Sequence, residues 1–488
     1  MHATRASAAS SVKWSAVEYG GLALISFSSL IIYARFLSAS EFGLFSIALS
    51  IIELMALLVS MLFHDALVQR RDVRELHYDT AFTATLALSA VVVALCWSIA
   101  PVVSRQAAAP DAGPVLLWLS LSLPLMAASA TLMARRRREL DFRTLAVSSL
   151  VGRTAGAAAG IALVVLGSGV WALVAQHVLF AMFTSVVLWV RCADRPRLRF
   201  GILEFRELIG FGLACVSALM LCFSARRIFL VASGFMLGTY GAGLLNLAFR
   251  VVETLWSIAA TAVTHITLPL LSSLQGDGDR FGRAFQAALA LVCLVSYFGF
   301  VLLGATAPEV VALLFGSQWA QISPYVTLLS LQVLAQAPRT AVFAAQKALG
   351  RPRDFLLCQA AELGFVVAAI AVVGVPSVSW AIGIWLAREA VGSVMQWWMF
   401  RGATHMGIRQ SLAGARVPLV AALAMFAAVS ACRELLTQAL GPLAALMVLV
   451  PVGAIVYFAC VALLRPALLV ELIRFAHFAF RRVQPAAT

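Results

Sequence analysis

Charge is scarce in this chain. Asp, Glu, Lys and Arg make up 12% of its 488 residues, about half the share in an ordinary soluble domain. Apolar types fill 62%, so water is excluded as the solvent for most of the chain. Clustered thiol and imidazole ligands are also missing. The eight Cys (96, 192, 215, 222, 293, 358, 432 and 460) stand apart with no C-x-x-C and no paired His. That spacing argues against a metal or redox centre and for small buried residues. There is no P-loop, no Gly-rich dinucleotide fingerprint and no zinc spacing, so neither a cofactor nor a metal is expected. The apolar stretches lack two-residue alternation, which excludes a β-barrel. No A-x-A-like cleavage site follows the first apolar stretch, 17–37, which reads as a membrane helix and not as a removable signal.

What the chain does have is apolar stretches of membrane-crossing length. A helix of about 20 residues crosses the ~30 Å of bilayer hydrocarbon. Such stretches recur at 15–36, 41–63, 80–103, 114–134, 145–166, 169–190, 207–232, 241–262, 285–306, 324–346, 356–375, 378–400, 416–436 and 441–464. The expected fold class is therefore all-α, a polytopic membrane protein of about fourteen transmembrane helices. Basic residues orient it. The two ends and the connections after every even-numbered span hold 27 of the 36 Lys and Arg, whereas the opposite set holds only Arg105. Both termini are thus expected on the cytoplasmic side. The runs Arg135–Arg138 and Arg191/Arg195/Arg197/Arg199 then sit just on the cytoplasmic side of the membrane. They read as topology anchors that meet anionic lipid headgroups. Aromatic residues are not interleaved with them as a nucleic-acid surface requires, so no nucleic acid is expected as a partner.

An internal repeat organises the chain. Shifted by 200 residues, Leu37, Gly43, Leu44, Ala48 and Glu53 recur as Leu237, Gly243, Leu244, Ala248 and Glu253. The unit is six spans, an even number, so the two copies share one orientation. Lobes of about 1–200 and 201–410 are expected, with 411–488 adding two helices and a tail. Parallel repeats about an axis along the membrane normal are a transporter architecture.

Charged residues inside the spans are the candidate site. Each costs about 2.5–3.5 kcal/mol on the insertion scale, so they tend to face a bundle interior or a watery cavity. The basic set is Arg35, Arg153, Arg226, Arg227, Arg250, Arg339 and Arg388, expected to bind substrate. The acidic set is Glu53, Glu253, Glu362 and Glu389, expected to serve coupling or ion pairing. The excess of deep arginine over deep acid leaves a cationic interior. Guanidinium forks suit phosphate, so an anionic substrate is expected. An ion-coupled multidrug exporter of the same fold is an alternative, but it would want lone acids in an apolar pocket. A membrane glycan ligase or polymerase is a further alternative. It would want a large external catalytic loop, and the longest here lies near 307–323.

Four stretches carry a resemblance. Ala34-Arg35-Phe36-Leu37-Ser38-Ala39-Ser40-Glu41-Phe42-Gly43, Asp65-Ala66-Leu67-Val68-Gln69-Arg70, Leu237-Gly238-Thr239-Tyr240 through Asn246-Leu247-Ala248-Phe249-Arg250, and Gly316-Ser317-Gln318-Trp319 with Pro324 resemble, in order and spacing, the Wzx-type polysaccharide flippases. That family belongs to the superfamily that also holds multidrug exporters and lipid II flippases. The colanic-acid/exopolysaccharide exporter branch is the most similar. The resemblance implies a transporter and not an enzyme: an alternating-access flip of undecaprenyl-pyrophosphate-linked oligosaccharide to the outer leaflet. It implies a cavity lined by spans 1, 2, 7 and 8, with Arg35 and Arg250 at motif positions. It also implies a pathway with a polysaccharide polymerase and glycosyltransferases as partners. One departure is visible. Ser224-Ala225-Arg226-Arg227 stands where many relatives carry an acid late in span 7, which puts ion coupling through that position in doubt.

Overall fold

The computed structural model describes residues 2–272, 278–404, 406–436 and 441–470. The loop near 273–277 and the basic tail beyond 470 lie outside the described residues. Described segments are helical with no strand among them, as an apolar chain in a solvent without hydrogen bonds requires, because a helix satisfies its own backbone. The protein is an all-α polytopic membrane protein. Among the described residues eleven helices are long and apolar enough to cross a membrane. One of them, Ile202–Trp256, takes in span 207–232 and most of span 241–262, which meet at Gly238. Spans 324–346 and 378–400 are helical as well, the first as Ser323–Leu331 and Val333–Ala348 and the second as Val378–Thr404. They carry buried charges, which lower their apolarity.

Two compact units divide the chain: residues 1–246 with 374–378, and residues 247–373 with 379–488. In the first unit, helix Ala39–Met61 begins on a capping box. Ser38 is extended (φ −76°, ψ 163°), and its Oγ accepts the Glu41 N–H at 3.3 Å. Glu41 Oε2 in turn accepts the Ser38 N–H at 2.8 Å. Two orphan donors of the first turn are thereby satisfied. Ser38→Ala removes half of the box and is expected to cost about 1 kcal/mol, read as a lowered melting temperature of the purified protein. The matching position of the second copy is solved differently. Gly238 takes φ +71° and ψ −179° and breaks the helix, a conformation open to glycine and strained for other residues.

The two repeat copies touch reciprocally inside this unit. A Cβ on Gly43 would land on the carbonyl of Thr239, and one on Gly243 on the carbonyl of Ala39. Asn246 Nδ2 donates to Ser46 Oγ at 2.7 Å. Position 43 meets 239, 243 meets 39 and 46 meets 246, the pattern of a self-complementary contact about a two-fold axis. The backbones approach this closely because neither glycine has a side chain. The same device joins Phe142–Val165 to Trp171–Arg191. Gly152, Gly156 and Gly160, spaced four apart, sit against Phe180, Gln176 and Ala172 backbone, a small-residue stripe of the kind that packs membrane helices.

In the second unit, Arg416–Leu436 and Pro442–Leu464 pack on Gly278–Ala305. Tyr457 is fully buried and its hydroxyl donates to the Leu294 carbonyl at 2.8 Å. Gly453 lets the helix close on Leu302 and Val429.

Candidate functional site

Among the charged candidates of the spans, the buried ones lie in the second unit and form one ring. Val333–Ala348 carries Arg339, just past Pro338; Pro352–Val373 carries Glu362; Val378–Thr404 carries the adjacent Arg388 and Glu389. Arg339 and Arg388 each donate to a different oxygen of Glu362. On the other side, Arg339 Nη1 reaches Glu389 Oε1 at 2.6 Å and Arg388 Nη2 reaches Glu389 Oε2 at 2.8 Å. Two guanidinium forks and two carboxylates thus alternate in a closed circuit, and Glu362 is wholly buried. Amides finish it. Arg339 Nε donates to Gln396 Oε1 at 3.1 Å, and Gln332 Nε2 donates to Glu389 Oε2 at 3.0 Å. Gly392, one turn beyond Arg388, leaves the room: a Cβ there would collide with Glu362 and Arg339.

The charges of this ring cancel, two against two. Charge-assisted, two-pronged bonds are the strong kind, and full pairing is what makes buried ions tolerable away from water. Sequence reasoning saw the four residues as separate candidates. Only the packing of three helices joins them.

Beside the ring lies a cavity of about 60 Å³. Its wall includes Glu253, Trp256, Gln332, Gln336, Trp385 and Arg388. The Arg388 guanidinium lies 4.0 Å from the centre of the Trp385 ring, within cation–π range. Gln332 and Gln336 stand one turn apart, the Gln336 N–H donating to the Gln332 carbonyl at 3.0 Å. The two glutamines and the two tryptophans were not among the sequence candidates. Amides and aromatics inside an apolar span carry no charge signal, and their convergence is set by helix packing alone.

The first unit holds Arg35, Glu53, Arg153, Arg226 and Arg227. Arg227 Nη1 lies 2.6 Å from Glu53 Oε2, joining the span-2 acid to span 7. Arg226 precedes it, half-buried. Arg153 lies 4.3 Å from the centre of the Phe180 ring. Arg35 is exposed near the end of His2–Phe36. In the second unit Arg250 is half-buried, and its carbonyl accepts the Thr254 hydroxyl at 2.7 Å.

Sequence reasoning also missed a cluster at the start of Glu75–Gln106. His77 is fully buried. Its Nδ1 accepts the Arg74 N–H at 3.1 Å, so its Nε2 carries the proton shared with Glu207 at 2.8 Å. Arg70 meets the same Glu207 oxygen at 2.6 Å. The basic run nearby is partly engaged within the protein. Arg135 grips Glu75 with two bonds of 3.0 and 2.9 Å, and Arg138 donates to the carbonyls of Leu67, Arg70 and Arg71. Those carbonyls end a short helix, where a cation is favoured. Arg137 is exposed.

A family model described as polysaccharide biosynthesis protein matches residues 32–324. The succinoglycan biosynthesis transport protein ExoT of Rhizobium meliloti (strain 1021) is 27% identical over 325 residues, 66% of this chain and 65% of that protein. The lipopolysaccharide biosynthesis protein WzxC of Escherichia coli (strain K12) is 22% identical over 326 residues, with the same coverage of 66% and 65%. The chain thus spans 65% of the length of these two relatives. Among solved structures, the lipid II flippase MurJ in an inward closed conformation superposes with a TM-score of 0.74 at 12% identity, covering 94% of this chain and 100% of that one. An inward-facing multidrug resistance MATE family transporter of the MOP superfamily gives 0.59 at 15% identity, covering 79% and 96%. These likenesses show the fold.

Proposed function

The chain belongs to the family of polysaccharide biosynthesis proteins, and on that premise we propose that it is a transporter that flips a lipid-linked oligosaccharide across the bacterial inner membrane. The substrate is an undecaprenyl-pyrophosphate-linked repeat unit, taken from the cytoplasmic to the periplasmic leaflet for exopolysaccharide, capsule or O-antigen synthesis. Fourteen spans hold both termini in the cytoplasm. The observation that carries the reading is the family match, together with relatives named for succinoglycan transport and lipopolysaccharide biosynthesis.

The physical need is plain. A pyrophosphate and its glycan cannot enter hydrocarbon bare, because desolvating such charge costs tens of kcal/mol in the idealised limit. A polar path between two lobes, 1–200 and 201–410, replaces water around the headgroup while the polyprenyl tail stays in lipid. Arg35, Arg153, Arg226, Arg227 and Arg250 supply donors to the phosphates. Arg339 and Arg388 act through the ring, as donors whose charge is already balanced. Glycosyltransferases supply the substrate on one side and a polymerase consumes it on the other. Anionic lipids meet exposed basic residues such as Arg137.

The test is export in cells lacking their own flippase. Wild-type chain restores surface polysaccharide. Arg227→Ala and Arg250→Ala each lower it about tenfold or more at equal membrane abundance, the effect of one lost charged hydrogen bond. Full export by both variants overturns the role of these arginines. Drug resistance conferred by the chain without polysaccharide export overturns the substrate.

A further inference from the structure

We propose that the cavity beside the charge ring is a sugar-binding subsite, which recognises the glycan of the lipid-linked substrate and not its phosphates. The inference rests on the reading of the protein as a lipid-linked oligosaccharide flippase. It goes beyond that reading by separating two recognition tasks within one substrate.

The wall chemistry carries it. Arg388 is the cation at this cavity, and its charge is balanced within the ring by Glu362 and Glu389. The wall adds Glu253. A phosphate placed here would meet a cation already held by two carboxylates, with a further acid alongside. A hydroxyl group meets matching partners. Amides offer both a donor and an acceptor, as sugar hydroxyls do. Gln332 is held by its bond to Glu389, which leaves its carbonyl oxygen to accept. Among the described residues, the Gln336 side-chain amide has no hydrogen-bond partner, although it lines the cavity. Helical spacing sets the two amides on one face.

The aromatic residues divide by exposure. Trp385 is buried, with the Arg388 guanidinium over its face and Phe249 packed edge-on, ring centres 5.1 Å apart. Trp256 is only half-buried, and Phe300 holds it in an edge contact with ring centres 5.6 Å apart. Trp256 therefore offers a fixed indole face, electron-rich above its plane. The C–H face of a pyranose is its complement, whereas an anion is repelled by it. The volume of about 60 Å³ is small beside the roughly 300–1,000 Å³ of a pocket that takes a whole drug-sized ligand. In this conformation it admits one arm of a sugar, of hydroxymethyl or acylamino size.

The experiment compares repeat units. Cells without their own exporter receive this chain and one of several pathways whose lipid-linked units share the pyrophosphate but differ in sugar composition. Wild-type export ranks the units. Gln336→Ala and Trp256→Phe, at equal membrane abundance, are expected to lower export of the best unit about tenfold, as the loss of a substrate hydrogen bond or stacking face does. The poorest unit changes less than about twofold, so the ranking narrows. Gln332→Ala gives the same narrowing if the two amides act together. The subsite is overturned if both Gln336→Ala and Trp256→Phe reduce every unit by one common factor, the mark of a purely structural role, or leave every unit unchanged. Wild-type chain that exports no unit of the panel overturns the flippase reading itself, and the subsite with it.

Discussion

Glu362→Ala is expected to destabilise the protein by about 3–5 kcal/mol, the usual cost of removing one partner from a buried ion pair. The carboxylate is fully buried and bridges Arg339 and Arg388. Its removal leaves two guanidiniums facing Glu389 alone, with one positive charge uncompensated in a buried site. Three helices lose their common clasp at once, since Arg339, Glu362 and Arg388 belong to three different segments. The measurement is thermal unfolding in detergent, followed by tryptophan fluorescence, alongside membrane abundance. A double variant separates charge balance from packing. Glu362→Ala with Arg388→Met leaves Arg339 paired with Glu389, a neutral couple, and should regain more than half of the loss. Independent sites would add, so such a regain reports coupling between the two positions. A single variant that melts with the wild type, or a double variant whose loss is the plain sum of the two, contradicts the ring.

Gly43→Val should have the second large effect, and Gly243→Val should match it. Each substitution drives a side chain into a backbone carbonyl of the other repeat copy, Thr239 in one case and Ala39 in the other. Backbone cannot rotate aside as a flexible side chain can. The crossing has to open, at a cost of about 3 kcal/mol or more, the upper end of what overpacking exacts, and the Ser46–Asn246 hydrogen bond goes with it. Gly20→Val is the control, because no heavy atom lies within 4 Å of a Cβ there. Melting temperature and export should fall together for positions 43 and 243 and hold at position 20. Combining the two crossing variants should add little, since one opening relieves both clashes. Equal tolerance at all three positions would remove the reciprocal contact from any account of assembly.

Some of this was open to reading in the residues. The membrane spans followed from the 62% apolar composition and the scarcity of charge, because hydrocarbon imposes helix on any chain that crosses it. The repeat was visible in Gly43 and Gly243. Their reciprocal contacts were not, since an alignment of one copy on the other says nothing about which atoms touch. Gly238 illustrates the same limit: its place in the repeat was readable, while its +71° φ was not. The candidate site was half legible. Arg339, Glu362, Arg388 and Glu389 stood out as charges where charge is costly. Gln332, Gln336, Trp256 and Trp385 did not, being ordinary residues in apolar runs.

By itself, then, the order of residues determined the solvent, the helical class and the list of ions that must be sheltered, because each depends on transfer free energies that belong to single residues. The tertiary structure alone decided which ions neutralise one another, where two backbones cross without side chains, and which amides meet an indole face. Those are distances between segments remote in the chain, set by how helices pack and recorded in no single stretch of it.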